Sequence, residues 1–238
     1  MYPLGRKVAG YAVVGTIAAA GAGVTVGAIC GLGPFAPALS ASVVLIMFAA
    51  SEPARRIAKP QRFGPANRIT LARGVLVGVV AAFIGSDVAP EQTLGVAVIA
   101  AVALIMDGLD GYVARKTGLA SAYGAQLDME VDSLLMMVLS ILAWQWDRAG
   151  VWVLFCGLAR YGFVLAGRAW PWFNRPLLPA FRRKTACVIG IGCLLGSVVP
   201  WPLLGASQAM AATATVSLAL SFAIDIVWLI RHRGEPMP

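Results

Sequence analysis

Four aspartates at two fixed spacings are the residues of this chain best suited to chemistry. Asp107 and Asp110 lie three residues apart, Asp128 and Asp132 lie four apart, and all four fall within 26 residues. On a helix, either spacing places both carboxylates of a pair on one face. The segment between the pairs is short, so the two helices should be neighbours. The sequence therefore predicts that four carboxylates converge.

Carboxylates grouped without His or Cys suit hard divalent cations, because Mg²⁺ and Mn²⁺ prefer oxygen ligands. Four carboxylates can hold two such ions about 4 Å apart, an arrangement that stabilises both the entering and the leaving oxygen in phosphoryl transfer. We therefore expect two ions of Mg²⁺ or Mn²⁺ and a substrate that bears phosphate.

Small and basic residues accompany the acids. Gly111 follows Asp110, Ala114 lies about one helical turn later, and Gly124 belongs to the second helix, so a bulky ligand can approach the backbone. Arg115 can pair with a phosphate through two N–H groups. A solvated helix end would account for each of these features alone, but it does not account for the whole spaced set.

The rest of the chain is apolar enough to reside in a bilayer. Of its 238 residues, 59% are hydrophobic and 13% are charged, against roughly 25% charged in soluble proteins. The mean hydropathy is +0.80. The net charge of +8 comes from basic residues in short connectors between apolar segments, which indicates membrane topology and no nucleic-acid partner. The composition predicts an all-α polytopic membrane protein.

About 20 apolar residues are needed for a helix to cross the hydrocarbon core. By that measure the chain has eight candidate spans, near 8–30, 35–51, 67–86, 91–114, 124–146, 149–168, 184–204 and 207–230. A basic, Pro-interrupted juxtamembrane linker at 54–66 separates an N-terminal helix pair (1–53) from a six-helix catalytic domain (67–238).

The connectors alternate in charge. On this topology 16 of the 19 Lys and Arg residues lie on one side of the membrane. By the positive-inside rule, that side is the cytoplasm. We expect a multi-pass protein of the cell inner membrane or its equivalent, with both termini and the acidic residues facing the cytoplasm.

The spaced residues carry a family resemblance. The pattern D-x-x-D-G-x-x-A-R, eight further residues, then G-x-x-x-D-x-x-x-D resembles the signature of the CDP-alcohol phosphatidyltransferase family, and all eight fixed positions are matched between Asp107 and Asp132. The six spans from about residue 67 onward resemble the six-helix core of that family. The first two helices lie outside the resemblance.

The resemblance implies roles for individual residues. Asp107, Asp110, Asp128 and Asp132 would bind the metal ions, and Asp132 would also be the general base that takes the proton from the acceptor hydroxyl. The CDP moiety would be held by residues of the signature and of the segment that opens the core, namely Gly111, Ala114, Arg115, Ser121, Gly124, Asn67 and Thr70. N-capping of a helix is an equally good reading of Asn67. Arg73 is a weak phosphate candidate, since its side chain can reach the membrane surface by snorkelling.

Basic residues farther along suggest an anionic acceptor. Arg160, Arg168, Arg182 and Lys184 resemble a pattern in phosphatidylglycerophosphate synthases, although Tyr161 and Phe181 depart from it. A motif aspartate is the alternative partner of Arg160, and topology alone would also explain the bases at 182–184. The expected reaction transfers a phosphatidyl group from CDP-diacylglycerol to a hydroxyl acceptor such as glycerol 3-phosphate and releases CMP. An inositol phosphate or a neutral alcohol stays open as the acceptor.

Two alternatives stay open. A CDP-linked headgroup alcohol could instead be the donor, with diacylglycerol as the acceptor. A divalent-cation transporter is an alternative of a different class, but it would place acids near the membrane midplane and would not need Gly111, Ala114 and Arg115. The expected partners are a CDP-lipid, a small polar alcohol and membrane lipids, and the resemblance implies a homodimer.

Overall fold

Helices form all the regular structure in the described part of the chain. The computed structural model describes residues 3–58, 63–117, 121–175 and 181–233. The helices there are α1 (Pro3–Cys30), α2 (Ala36–Ala58), α3 (Pro65–Ala81), α4 (Pro90–Thr117), α5 (Ala122–Gln145), α6 (Leu154–Ala169), α7 (Phe181–Val198) and α8 (Leu204–Arg231). Short 3-10 segments at Val151–Val153 and Pro171–Asn174 flank α6. The prediction of an all-α polytopic membrane protein is confirmed.

Among the described residues, five segments are long and apolar enough to cross a membrane. They are Val8–Cys30, Ala36–Ile57, Pro90–Val113, Val151–Ala169 and Gly205–Arg231. The other helices differ in length or charge: α3 has 17 residues, α5 carries three acids from Asp128 to Asp132, and α7 has three consecutive bases in its first turn. The eight predicted spans correspond to the eight described helices, and the crossing of α3, α5 and α7 stays a prediction.

The chain forms two compact units, residues 1–138 and 139–238, which divide within α5. In the first unit, α1 packs on α2, both of them pack on α3, and α3 packs on α4. In the second unit, α8 packs against both α6 and α7.

Helix α2 is longer than the sequence predicts. It continues through Pro53 to Ala58, into the predicted linker. Its last turns are supported by Glu52, whose carboxylate accepts hydrogen bonds from Arg55 Nε at 2.6 Å and Arg56 Nε at 3.0 Å. Pairs at these spacings stabilise a helix. Residues 59–62 of the predicted linker lie outside the described residues.

The turn after α1 depends on glycine. Gly31 has φ +67°, a left-handed conformation that glycine adopts at little cost. The Leu32 N–H donates to the Gly27 carbonyl oxygen at 3.0 Å, which closes the helix end as in a Schellman motif.

Two glycines on α3 allow α2 to approach closely. A Cβ added at Gly78 would lie 2.6 Å from the Ser40 carbonyl oxygen, and one at Gly74 would lie 3.1 Å from Met47 Sδ. Glycines four residues apart form a flat strip on which a second membrane helix can rest. Ser40 and Met47 are both fully buried in this contact. The N-terminal helices are therefore packed directly on α3.

We expect Gly78→Ala to destabilise the protein by about 1–3 kcal/mol, because the new methyl group overpacks a backbone contact. Gly95→Ala, in α4, is the matched control because a Cβ there meets nothing within 4 Å. The control should be neutral or slightly stabilising, since alanine favours a helix over glycine. Thermal unfolding in detergent would measure both changes. Equal melting temperatures for the two variants would contradict the close packing of α2 on α3.

Candidate active site

The structure brings three of the four predicted carboxylates together. Asp107 belongs to α4, while Asp128 and Asp132 lie one turn apart on α5. One carboxylate oxygen of each residue lies within 4.8 Å of the other two, and all three residues are half-buried. The four-residue spacing of Asp128 and Asp132 therefore places both carboxylates on one face of α5, as predicted. Asp110 belongs to α4, but its side chain lies outside the described residues.

A buried arginine of α3 lies among these carboxylates. Arg73 Nη1 is 3.0 Å from Asp107 Oδ1 and 2.5 Å from Asp128 Oδ1. Its Nη2 is 2.6 Å from Asp132 Oδ1. A planar guanidinium can bridge several carboxylates in this way because its N–H donors spread as a rigid fork. Arg73 thus connects α3 to both α4 and α5.

The Arg73 side chain turns toward the carboxylates and not toward water, so the expectation that it snorkels is wrong. Its side chain has 0% exposure, and its Nε donates to the Ala103 carbonyl oxygen on α4 at 3.0 Å. Anionic partners on α4 and α5 reduce the free-energy cost of burying the guanidinium. The sequence signal that Arg73 lies near the site is its spacing, six residues after Asn67 and three after Thr70. These spacings keep all three residues near one side of α3.

The three carboxylates fit a divalent cation. They provide the hard oxygen donors that Mg²⁺ and Mn²⁺ prefer. Because Mg²⁺ ligands lie about 2.1 Å from the ion, opposite ligands are about 4.2 Å apart. The observed separations, within 4.8 Å, need only small side-chain movements to reach this geometry. Asp107, Asp128 and Asp132 are therefore suitable metal ligands.

Residues predicted to hold the CDP moiety meet at the start of α5. A Cβ added at Gly124 would lie 2.7 Å from Asn67 Oδ1, so glycine at this position makes room for the amide. The Gly124 N–H donates to Ser121 Oγ at 3.0 Å, which makes Ser121 the N-cap of α5. Asn67 and Thr70 are buried on α3. The structure thus brings Asn67, Ser121 and Gly124 together.

The alternative reading of Asn67 as a helix cap is wrong. The N-cap of α3 is Gly64, with Pro65 opening the helix, so Asn67 lies within the first turn. Proline is favoured at that first position because its missing N–H would be unpaired there anyway. Its ring sets the start of α3 and leaves the Asn67 side chain to face Gly124.

Three further signature residues, Gly111, Ala114 and Arg115, follow Asp110 on α4. Gly111 is half-buried. The side chains of Ala114 and Arg115 lie outside the described residues.

Glu130 lies between the two aspartates of α5. It is 3% exposed and accepts a hydrogen bond from Gln126 Nε2 at 2.6 Å. It does not join the three clustered aspartates, as its position on a different face of α5 predicts.

The four predicted acceptor residues all belong to the second unit. Arg182 Nη2 is 2.6 Å from Asp225 Oδ1, and its Nη1 donates to the Ser221 carbonyl oxygen at 2.7 Å. Asp225, an acid within an apolar helix, is thus paired. A groove of about 360 Å³ between α7 and α8 is lined in part by Arg182 and Ser221.

The other three acceptor residues are more dispersed. Arg160 lies on α6 and is half-buried, Arg168 is exposed in the last turn of α6, and Lys184 is exposed in the first turn of α7. Their role in binding an acceptor stays a prediction.

Comparison with known proteins gives a family and one informative relative. The model of the CDP-alcohol phosphatidyltransferase family matches residues 63–227. The chain is 32% identical over 109 residues to a CDP-diacylglycerol–glycerol-3-phosphate 3-phosphatidyltransferase of Bacillus subtilis (strain 168), an alignment that covers 41% of this chain and 56% of the relative. A search of solved structures finds no match.

The family match covers more than half of the chain and includes the converging aspartates, Arg73 and the contact between Asn67 and Gly124. It begins two residues before α3 and ends within α8, so it excludes α1 and α2. This chain belongs to the CDP-alcohol phosphatidyltransferase family.

Proposed function

We propose that this enzyme transfers a phosphatidyl group from CDP-diacylglycerol to a hydroxyl of glycerol 3-phosphate, with release of CMP. The observation that supports this most directly is the approach of Asp107, Asp128 and Asp132 to within 4.8 Å in a chain of this family. A cluster of hard oxygen ligands suits the metal-assisted transfer of a charged phosphoryl group.

The three aspartates would hold two Mg²⁺ or Mn²⁺ ions, with Asp110 as a fourth ligand. The bound ions would offset the negative charge of the diphosphate. Asn67, Thr70, Ser121 and Gly124 would form one side of the nucleotide site, and Gly111, Ala114 and Arg115 another. This division follows the elements that carry the residues, since the first group lies at the start of α3 and α5 and the second on α4.

In the proposed reaction, Asp132 takes the proton of the acceptor hydroxyl. The hydroxyl oxygen attacks the phosphorus that bears diacylglycerol, the bond from that phosphorus to the oxygen bridging the two phosphates breaks, and CMP leaves with that oxygen. Asp132 suits the role of base because it is the least exposed of the three carboxylates, at 19% against 27% for Asp107 and 37% for Asp128. A base shielded from water keeps the proton transfer between acceptor and enzyme.

Two observations support glycerol 3-phosphate as the acceptor. The Bacillus subtilis relative carries that acceptor in its name, although this chain spans 56% of its length. Arg160, Arg168, Arg182 and Lys184 also supply positive charge in the second unit for an acceptor that is itself anionic. A neutral alcohol would gain less from them.

We further propose that the site and both termini face the cytoplasm, which the bias of the basic connectors supports, and that the enzyme works as a homodimer. A cytoplasmic site gives access to soluble glycerol 3-phosphate and returns CMP to the same compartment.

Purified enzyme with CDP-diacylglycerol, glycerol 3-phosphate and Mg²⁺ should release CMP and form a phosphatidyl product detected by mass. We expect Asp132→Asn to lower the rate by about 10²–10⁴-fold, the usual contribution of a general base. Glu130→Gln is the matched control, since Glu130 lies on the same helix outside the cluster. The control should retain most of the activity. Equal losses in the two variants would contradict the assignment of Asp132.

The identity of the CDP-linked donor distinguishes this proposal from the alternative in which a CDP-linked headgroup is transferred to diacylglycerol. CMP release from CDP-choline with diacylglycerol, and none from CDP-diacylglycerol, would establish headgroup transfer instead. Replacing glycerol 3-phosphate with inositol phosphate or glycerol in the same assay tests the acceptor.

Removal of divalent ions with a chelator should abolish CMP release, and Mg²⁺ or Mn²⁺ should restore it, because the carboxylates alone repel the diphosphate. Activity that survives exhaustive chelation would contradict a metal-dependent reaction. In liposomes, a metal flux that is lost in Asp128→Asn, together with no CMP release from any CDP-alcohol, would favour a transporter.

A further inference from the structure

Arg73 and a divalent cation would use the same carboxylates. The Arg73 guanidinium contacts one oxygen from each of Asp107, Asp128 and Asp132, at distances between 2.5 and 3.0 Å. These are the three residues whose oxygens come close enough to hold an ion. An arginine beside one ligand would be an ordinary orienting contact, but this guanidinium lies among all three.

The three carboxylates need a positive charge beside them. Three carboxylates whose ligand atoms lie within 4.8 Å of one another repel strongly. Arg73 supplies a positive charge that offsets part of this repulsion, and its 0% exposure limits screening by water. A divalent ion at the same carboxylates would offset the repulsion by itself and would be repelled by the guanidinium.

We propose that Arg73 is an internal counter-cation that competes with divalent ions for Asp107, Asp128 and Asp132 and keeps these residues together when no ion is bound. The inference rests on the proposed function only in taking the three aspartates as metal ligands. Arg73 is then a positioning residue with two opposite effects: it stabilises the metal-free protein and it weakens the binding of metal.

The shape of the side chain matters as well as its charge. Arg73 reaches two carboxylates through Nη1, a third through Nη2, and the Ala103 carbonyl through Nε. A lysine has one ammonium group on a flexible stem and cannot reproduce these four contacts from one fixed plane. Arg73→Lys should therefore keep the charge but lose part of the positioning.

The test is Mn²⁺ binding to detergent-purified protein by titration calorimetry, together with thermal unfolding with and without Mn²⁺. Removing a nearby buried charge should tighten Mn²⁺ binding in Arg73→Gln by about tenfold or more. The melting temperature without Mn²⁺ should fall by several degrees, and the rise on adding Mn²⁺ should exceed that of the wild type. Arg68→Gln is the matched control because Arg68 is an exposed residue of the same helix, and it should bind Mn²⁺ like the wild type.

Unchanged or weaker Mn²⁺ binding in Arg73→Gln would overturn the proposal, since it would make Arg73 a support for the bound metal. If Arg73→Gln folds only with Mn²⁺ present, the stabilising role is supported directly. If it does not fold at all, Arg73→Lys decides: tighter Mn²⁺ binding with a lower metal-free melting temperature supports the proposal, and wild-type values for both overturn it.

These measurements use no CDP-lipid. Failure of the wild type to release CMP would count against the proposed function and leave the competition at the carboxylates intact. Equal Mn²⁺ affinities in wild type and Arg73→Gln would overturn the proposed competition and would leave the proposed function unaffected.

Discussion

The ion-pair network of Arg73 is the interaction on which the first unit depends. A guanidinium buried in an apolar protein is costly unless its donors are paired, and here α4 and α5 provide the partners. Breaking one side of such a network leaves a buried charge behind, which destabilises by about 3–5 kcal/mol. The site and the packing of α3, α4 and α5 are therefore maintained by the same contacts.

Different parts of α3 serve the site and the N-terminal helices. Asn67, Thr70 and Arg73 lie at the site, whereas Gly74 and Gly78, farther along the helix, receive α2. The residues from 77 to 81 are all buried, so an apolar stripe with a polar opposite face is not expected there. Because α1 and α2 lie outside the family match but pack on α3, they are well placed to restrict how far α3 can move from α4 and α5.

The sequence was most informative where spacing alone determines position. Asp128 and Asp132 belong to one helix, so their four-residue separation places them together whatever surrounds them. The aspartate spacing and the hydropathy pattern likewise indicated the family and the eight helices. The spacing of Arg73 from Asn67 and Thr70 indicates only its side of α3, because its partners depend on how α3 packs against two other helices. The same limit applies to Asn67, whose neighbour Gly124 is 57 positions away in the chain.

The predicted acceptor residues differ in whether they already take part in an ion pair. Arg182 is held by Asp225 at 2.6 Å and by Ser221, and Arg183 Nη1 is 3.6 Å from the same Asp225 carboxylate oxygen. If an anionic acceptor drew Arg182 away, Asp225, which is 7% exposed, would lose its closest partner in an apolar helix. Such a loss is costly. Lys184 and Arg168 are exposed and can meet an anion without breaking a described ion pair. If these basic residues bind the acceptor as proposed, Arg168 and Lys184 should therefore contribute more than Arg182.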